Sequence, residues 1–378
     1  MTVFGTRPDT IKMAPVVHAL RAARPAIAPI VCVTAQHRKM LDDLLALFGI
    51  ASDYDLDVMT SQQSLTQITT RVLERMEPIL TKARPDVLLV HGDTATSTAA
   101  ALAAFYAKIP VGHVEAGLRT NTAWEPYPEE MNRRLTGRLT SYHFAPTSRA
   151  RRHLERENVD PQSIFVTGNT VIDAFLETAA RAYGADPAEW AGLVPARPLI
   201  FVTAHRRENH TRMRGICEAL AAIAALPSRP QILWPVHPSP QVAPVAHAVL
   251  DGIEDVHLVA PMGYDATVRS IARSRLVLTD SGGLQEEAPC LGKPVLVMRE
   301  QTERPEGLEA GTLELVGADP TKIVGAARRL LEDEVAYARM ARSNNPYGDG
   351  RAAARIVAWL LAKLRDGTIP EEFEVQVA

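Results

Sequence analysis

Short apolar runs rich in β-branched residues recur along the whole chain, each separated from the next by an amphipathic stretch. This alternation constrains the fold more than any other feature. In the first half the runs fall at residues 2–4, 30–34, 87–91, 112–115, 142–145 and 164–167. In the second half they fall at 199–204, 232–236, 256–259, 276–279, 295–298 and 313–316. Strands that are apolar throughout need both faces covered, which points to parallel sheets between helices. The chain has 378 residues, too many for one core at about 150 residues per domain. The pattern therefore predicts an α/β protein with two Rossmann-like, doubly wound parallel sheets facing a central cleft. The expected division gives an N-terminal domain over 1–170 and a C-terminal domain over 171–350. An amphipathic helix expected at 351–366 would carry the segment 351–378 back onto the first domain.

Composition excludes several function classes. A net charge of -3 is close to balance and argues against a nucleic-acid or anionic-membrane surface. Cys32, Cys217 and Cys290 stand far apart with no CxxC pair. That pattern is neither a disulfide framework nor a zinc knuckle, and it fits a reducing compartment. No apolar stretch approaches the roughly 20 residues of a spanning helix. The opening residues lack the basic and apolar regions of a secretory signal, so a cytoplasmic location is expected. His37, His113 and His237 show neither HxH nor HExxH spacing, and no GxGxxG follows a predicted strand. Neither a metal nor a dinucleotide cofactor is expected.

Ligands of open parallel sheets bind beyond the carboxyl ends of the strands, and the polar residues collect there. Gly5-Thr6-Arg7-Pro8 follows the first run, with Lys12 in the next helical turn. Gly92-Asp93-Thr94 follows the third, and Glu115-Ala116-Gly117 ends the fourth. An acid after so apolar a strand is costly unless paired or used, which marks Asp93 and Glu115 as functional candidates. Glu129 opens a predicted helix with Arg133 at i+4, a spacing that an ordinary surface ion pair also explains. In the second half His205-Arg206-Arg207-Glu208 and His237 follow strands, and His205 is a candidate proton donor or anion ligand. The strongest element is Asp280-Ser281-Gly282-Gly283-Leu284-Gln285-Glu286-Glu287. A glycine pair between strand and helix admits a phosphate to backbone N–H groups, and Glu287 is positioned for ribose hydroxyls. Arg304 could add charge to the same diphosphate.

These motifs, with Thr34-Ala35-Gln36-His37-Arg38, Gly112-His113-Val114-Glu115-Ala116-Gly117-Leu118-Arg119, Gly292-Lys293-Pro294-Val295, Thr302-Glu303-Arg304-Pro305-Glu306-Gly307 and Asn345-Pro346-Tyr347-Gly348-Asp349-Gly350, closely resemble the non-hydrolysing UDP-N-acetylglucosamine 2-epimerases over nearly the whole chain. The resemblance implies a fold of the glycosyltransferase-B type and a UDP-sugar substrate, usually handled by a homodimer. It implies that Arg7, Lys12, Asp93, Glu115, Glu129 and His205 face the sugar and diphosphate. By the same likeness Ser281, Gly282, Gly283, Glu287 and Arg304 hold UDP. Some members take a second UDP-sugar as allosteric effector through positions matching Gln36, Arg206 and His237; here Lys39 replaces a glutamine. Asp9-Thr10 stands where Glu-Ala is usual. Thr267 stands where many members have an aromatic beneath the uracil, so base recognition is expected to lean on the backbone of residues 262–264, Met262 included, and on the Tyr264 ring.

The implied reaction is inversion at C2 by loss of UDP to a 2-acetamidoglucal and its re-addition. This needs an acid and a base on opposite faces of the sugar, with Asp93, Glu115 and Glu129 as candidates. A glycosyltransferase on the same fold, a hydrolysing epimerase, a UDP-sugar sensor, or an epimerase of a diacetamido uronic acid sugar are the alternatives. The intact carboxylate motifs weigh against the transferase and the sensor.

Overall fold

The structure, a computed structural model, describes residues 1–35, 38–60, 63–120, 122–365 and 367–375. The chain forms two compact units, one of Met1–Ala174 with Gly348–Glu374, the other containing Phe175–Tyr347.

The first unit holds β1 (Thr2–Phe4), β2 (Val31–Val33), β3 (Tyr54–Asp55), β4 (Leu88–His91), β5 (Val111–Val114), β6 (Tyr142–Ala145) and β7 (Ile164–Val166). They pair in parallel in the order β3-β2-β1-β4-β5-β6-β7. The second unit holds β8 (Leu199–Thr203), β9 (Gln231–Pro235), β10 (Val256–Val259), β11 (Leu276–Thr279), β12 (Val295–Val297) and β13 (Leu313–Leu315), ordered β10-β9-β8-β11-β12-β13 and again parallel. The two doubly wound parallel sheets of the sequence reading are therefore present. The first has seven strands rather than six, because β3 is two residues, one of them charged, and carries no apolar run.

Local chemistry sets the helices that flank the strand ends. Thr6 caps the helix Arg7–Ala22, its side chain accepting from the Asp9 amide, with Pro8 in the first turn. Thr94 does the same for Ala95–Tyr106 through the Ser97 amide. That helix is largely alanine on its buried face, so it lies close to the sheet core formed by Val3, Leu88, Val90 and Val111. Ser64 and Gln67 form a reciprocal capping box on Leu65–Ala83.

The helix Ala352–Leu364 belongs to the first unit and sends Trp359 into it. The Trp359 ring meets Tyr142 and Phe144 edge-on at centroid distances of 5.0 and 5.3 Å and lies 6.2 Å from Phe165. Truncating a buried aromatic leaves a cavity and costs about 3–5 kcal/mol. Trp359→Ala should therefore lower the unfolding midpoint of the first unit in denaturant, and an unchanged midpoint would show that the helix is not anchored through this ring. Among the described residues no helix is long and apolar enough to cross a membrane.

Candidate active site

In each sheet the strand order reverses direction at one place, between β1 and β4 in the first and between β8 and β11 in the second. Chains leaving the carboxyl ends there diverge and open a crevice. Each unit concentrates its buried charge at that position.

In the first unit Lys12 projects from the helix after β1, His91 closes β4, and Asp93 and Glu115 follow β4 and β5. Lys12 Nζ lies 2.5 Å from Glu115 Oε2, and the Asn169 side-chain amide donates to the same oxygen at 2.9 Å. His91 Nδ1 is 3.2 Å from Asp9 Oδ1, and its Nε2 faces Glu115 Oε1 at 3.7 Å. Glu115 holds a left-handed backbone, φ 65°, a conformation rare for a residue with a Cβ and recurrent at active sites.

The two central carboxylates are driven apart in acidity. Burial opposes the charge on Glu115, yet Lys12 and then His91 hold it well below the usual range. Burial pushes Asp93 up, Arg133 opposes the rise and Glu115 adds to it. Burial also opposes charge on His91, but Glu115 and Asp9 outweigh it and raise the imidazole to about 9. His113, buried with Nε2 2.7 Å from the Gly92 carbonyl, is instead lowered by burial to about 3, and His143 to about 4.

These shifts predict a two-sided stability profile. Neutral His113 and His143 contribute stability that is present above their ordinary 6.5 and lost as pH falls towards 4 and 3. Charged His91 contributes stability that is full below 6.5 and lost as pH rises through about 9. Calorimetry across this range should find the first unit most stable near neutrality, and a midpoint climbing steadily up to pH 10 would contradict the assignment of His91.

Arg133 ion-pairs with Asp93 and lies 3.6 Å from Glu130; Glu129 makes no ion pair among the described residues. The i,i+4 pair read from the sequence is thus replaced: Glu130, fully buried, takes Arg134 at 2.8 Å and the Thr120 amide at 3.0 Å. Glu129 stands half-buried at the first turn of Glu129–Leu139, and Arg7 is exposed at the start of its helix.

In the second unit the organising residue is Asp280, fully buried after β11. Its Oδ2 accepts from the backbone amides of His205 and Arg206, both at 2.8 Å, and from Asn209 Nδ2 at 3.1 Å. His205 Nδ1 lies 3.4 Å from Asp280 Oδ1, and the ring stacks on His237 at 5.8 Å. Burial lowers the His205 imidazole; Asp280 pulls the other way, and Arg206 and His237 reinforce the lowering. Gly282 adjoins the Arg206 guanidinium, since a Cβ there would sit 3.7 Å from Nη2. Arg206 therefore belongs with Ser281, Gly282 and Gly283 in this unit. Glu287 folds back beside Gly283 at the end of the helix Gly282–Glu287.

Arg304 ion-pairs with buried Glu286, which commits at least part of its guanidinium to the protein. Tyr264 and Met262 are each only 7 % exposed, so the Tyr264 ring offers little face for stacking. Thr267 spends its hydroxyl on the Gly263 carbonyl at 2.8 Å. Gln36 lies outside the described residues. Sequence reasoning passed over Asp9, His91, Asn169 and Asp280 as individual site residues, although Asp280, an acid directly after an apolar strand, carries the same signal as Asp93. Among the described residues no cluster of three or more His, Cys, Asp or Glu forms a metal cage.

A family model described as UDP-N-acetylglucosamine 2-epimerase matches residues 19–361. A UDP-N-acetylglucosamine 2-epimerase of Salmonella typhimurium is 54% identical over 364 residues, covering 94% of this chain and 96% of that one. One of Bacillus subtilis is 48% identical, covering 96% and 94%. Among solved structures, one from Listeria monocytogenes superposes with TM-score 0.94 at 45% identity, covering 99% of both chains. The Neisseria meningitidis UDP-GlcNAc 2-epimerase, solved bound to UDP-GlcNAc, superposes with TM-score 0.85 at 44% identity over 95% of this chain and 98% of that one.

Proposed function

The chain belongs to the UDP-N-acetylglucosamine 2-epimerase family and is an isomerase, and from that premise we propose that it interconverts UDP-N-acetylglucosamine and UDP-N-acetylmannosamine by elimination and re-addition of UDP. The observation that carries the mechanism is the placement of two carboxylates past β4 and β5 with different partners, Glu115 held by Lys12 and Asn169 and Asp93 by Arg133. Their acidities diverge, since Lys12 and His91 hold Glu115 down while burial pushes Asp93 up. Titratable groups driven apart in this way supply a base and an acid at one pH.

The C2 proton of the substrate is not flanked by a carbonyl, so direct abstraction is difficult. As the C1–O bond breaks, its electron pair leaves with the β-phosphate oxygen, and positive charge at C1 acidifies C2–H. An ionised carboxylate takes that proton while the C1–C2 double bond forms, giving 2-acetamidoglucal and UDP. In the second half-reaction UDP returns to C1 and a protonated carboxylate delivers a proton to the opposite face of C2. Glu115 suits the first task and Asp93 the second, and the reverse reaction starts from the protonation states that the forward one leaves. Glu129, half-buried and without an ion pair among the described residues, is the third candidate.

The leaving diphosphate needs positive charge and oriented donors. On this reading His205, Arg206 and the amides from Ser281 to Gly283 provide them in the second unit. Glu287 takes the ribose hydroxyls, and the peptide groups around Gly263 take the base. Homodimerisation, a cytoplasmic location and a second UDP-sugar acting as effector near Arg206 and His237 belong to the same reading.

Proton NMR of UDP-N-acetylglucosamine with the protein in deuterated water tests the reaction. The expected result is UDP-N-acetylmannosamine at a constant final ratio, with deuterium at C2 of both sugars. Release of UDP with free sugar would replace this reading by hydrolysis, and an unchanged spectrum would replace it by a different substrate or a transferase.

A further inference from the structure

One buried group that the mechanism leaves unused is the pair of Asp9 and His91. We propose that Asp9 is a positioning residue for the reaction: acting through the His91 imidazole, it aims a charged N–H at Glu115 and so keeps that carboxylate ready to accept a proton. The inference rests on the role proposed for Glu115.

The geometry carries it. One imidazole, 2 % exposed, is bracketed by two carboxylates, Asp9 Oδ1 at 3.2 Å from Nδ1 and Glu115 Oε1 at 3.7 Å from Nε2. A bare lone pair on either nitrogen would face a negative oxygen in a buried site, so both nitrogens carry protons. The charge count agrees. Asp9 and Glu115 bring two negative charges and Lys12 one positive, so within this group of four a cationic His91 balances the count. Asp9 is itself held, its Oδ2 accepting from Thr94 Oγ1 at 3.3 Å and its backbone N–H donating to Thr6 Oγ1 at 3.4 Å. The Nε2 atom is buried and has no partner within hydrogen-bond distance, and Glu115 is the carboxylate it faces. The ionisable groups around His91 are Asp9 and Lys12 on the helix Arg7–Ala22, Glu115 after β5, and His113 on β5, which burial keeps neutral. The raised acidity range of His91, about 9, is consistent with this arrangement.

The test pairs two measurements on the intact protein. The protonation of His91 is read from nitrogen-15 spectra of histidine-labelled enzyme, its signals identified by their loss in His91→Asn. Epimerisation is followed against pH for wild type, Asp9→Asn, Asp9→Glu and His91→Asn. In the wild type both His91 nitrogens should stay protonated at pH 7–8. Asp9→Asn removes one negative charge, so neutrality is then met with His91 uncharged. Its imidazole should lose one proton, and the acidic limb of kcat/KM should move up by about one pH unit, with the rate on that limb about tenfold lower, the rate at pH 7 little changed and KM nearly constant. Asp9→Glu should return the limb most of the way to its wild-type position. His91→Asn, whose amide still meets Asp9 but does not reach Glu115, should shift the same limb and provides the test should Asp9→Asn not fold. A neutral His91 in the wild type overturns the proposal. So does a His91 that stays charged in Asp9→Asn, or a pH limb that fails to move in either variant. A wild type whose histidine is charged as described but which does not epimerise would instead remove the proposed function, so the two failures are distinguishable.

Discussion

Asp93→Asn should lower epimerisation by about three orders of magnitude, the range lost when a positioned acid–base group is removed. Asparagine keeps the size and the hydrogen-bonding edge of a protonated aspartate, so Arg133 retains a neighbour and the loop after β4 keeps its form. What it cannot do is give up or regain a proton at C2. The residues proposed to hold UDP in the second unit are untouched, and UDP affinity should stay within about threefold of wild type. Stopped assays of sugar interconversion alongside calorimetric UDP titration separate the two effects. Turnover preserved in the variant would take Asp93 out of the proton chemistry and leave that task to Glu115 and Glu129.

Asp280→Ala is the corresponding test in the second unit, and its expected effect is on folding first. Three donors, the amides of His205 and Arg206 and the Asn209 side chain, converge on one buried oxygen. Removing their acceptor strands them away from water, at a cost of about 3–5 kcal/mol for the network. Asp280→Asn, which can still accept at least one of these bonds, should lose less. In urea the transition of the second unit should move to lower denaturant, and UDP binding should weaken at temperatures where the variant remains folded, because the backbone amides of His205 and Arg206 are held by that oxygen. An Asp280→Ala protein as stable as its parent would mean that these amides find water instead.

The positions of the strands were legible because buried parallel strands are written as continuous apolar runs; the two-residue strand Tyr54–Asp55 escaped because a short edge strand needs no such run. The locations of Lys12, Asp93, Glu115 and His205 were legible because polar residues just past apolar strands mark the open end of the sheet. Their partners were not. Whether Arg133 turns to Glu129, four residues back, or to Asp93 across the unit depends on where β4 and the helix Glu129–Leu139 meet, and helical spacing alone favours the wrong choice. Arg304 was expected beside the diphosphate, and the sequence does not show the buried Glu286 that takes part of its guanidinium. Tyr264 looked like a stacking ring because a sequence shows the aromatic and not the side it turns to the core. The charge on His91 was the least accessible, since it follows from two carboxylates that approach from segments far apart in the chain.

The left-handed turn at Glu115 has a bearing on how such an enzyme is improved. A side chain at φ 65° costs of the order of 1 kcal/mol that glycine would not incur. A search for thermally hardier variants that scores only backbone strain would therefore favour glycine at this position. Each such variant would take from half-buried Lys12 and from His91 Nε2 the carboxylate they face, and would discard the proposed base. The turn marks a place where backbone strain and side-chain pairing select opposite residues, and a library meant to keep fold and turnover should leave position 115 unvaried.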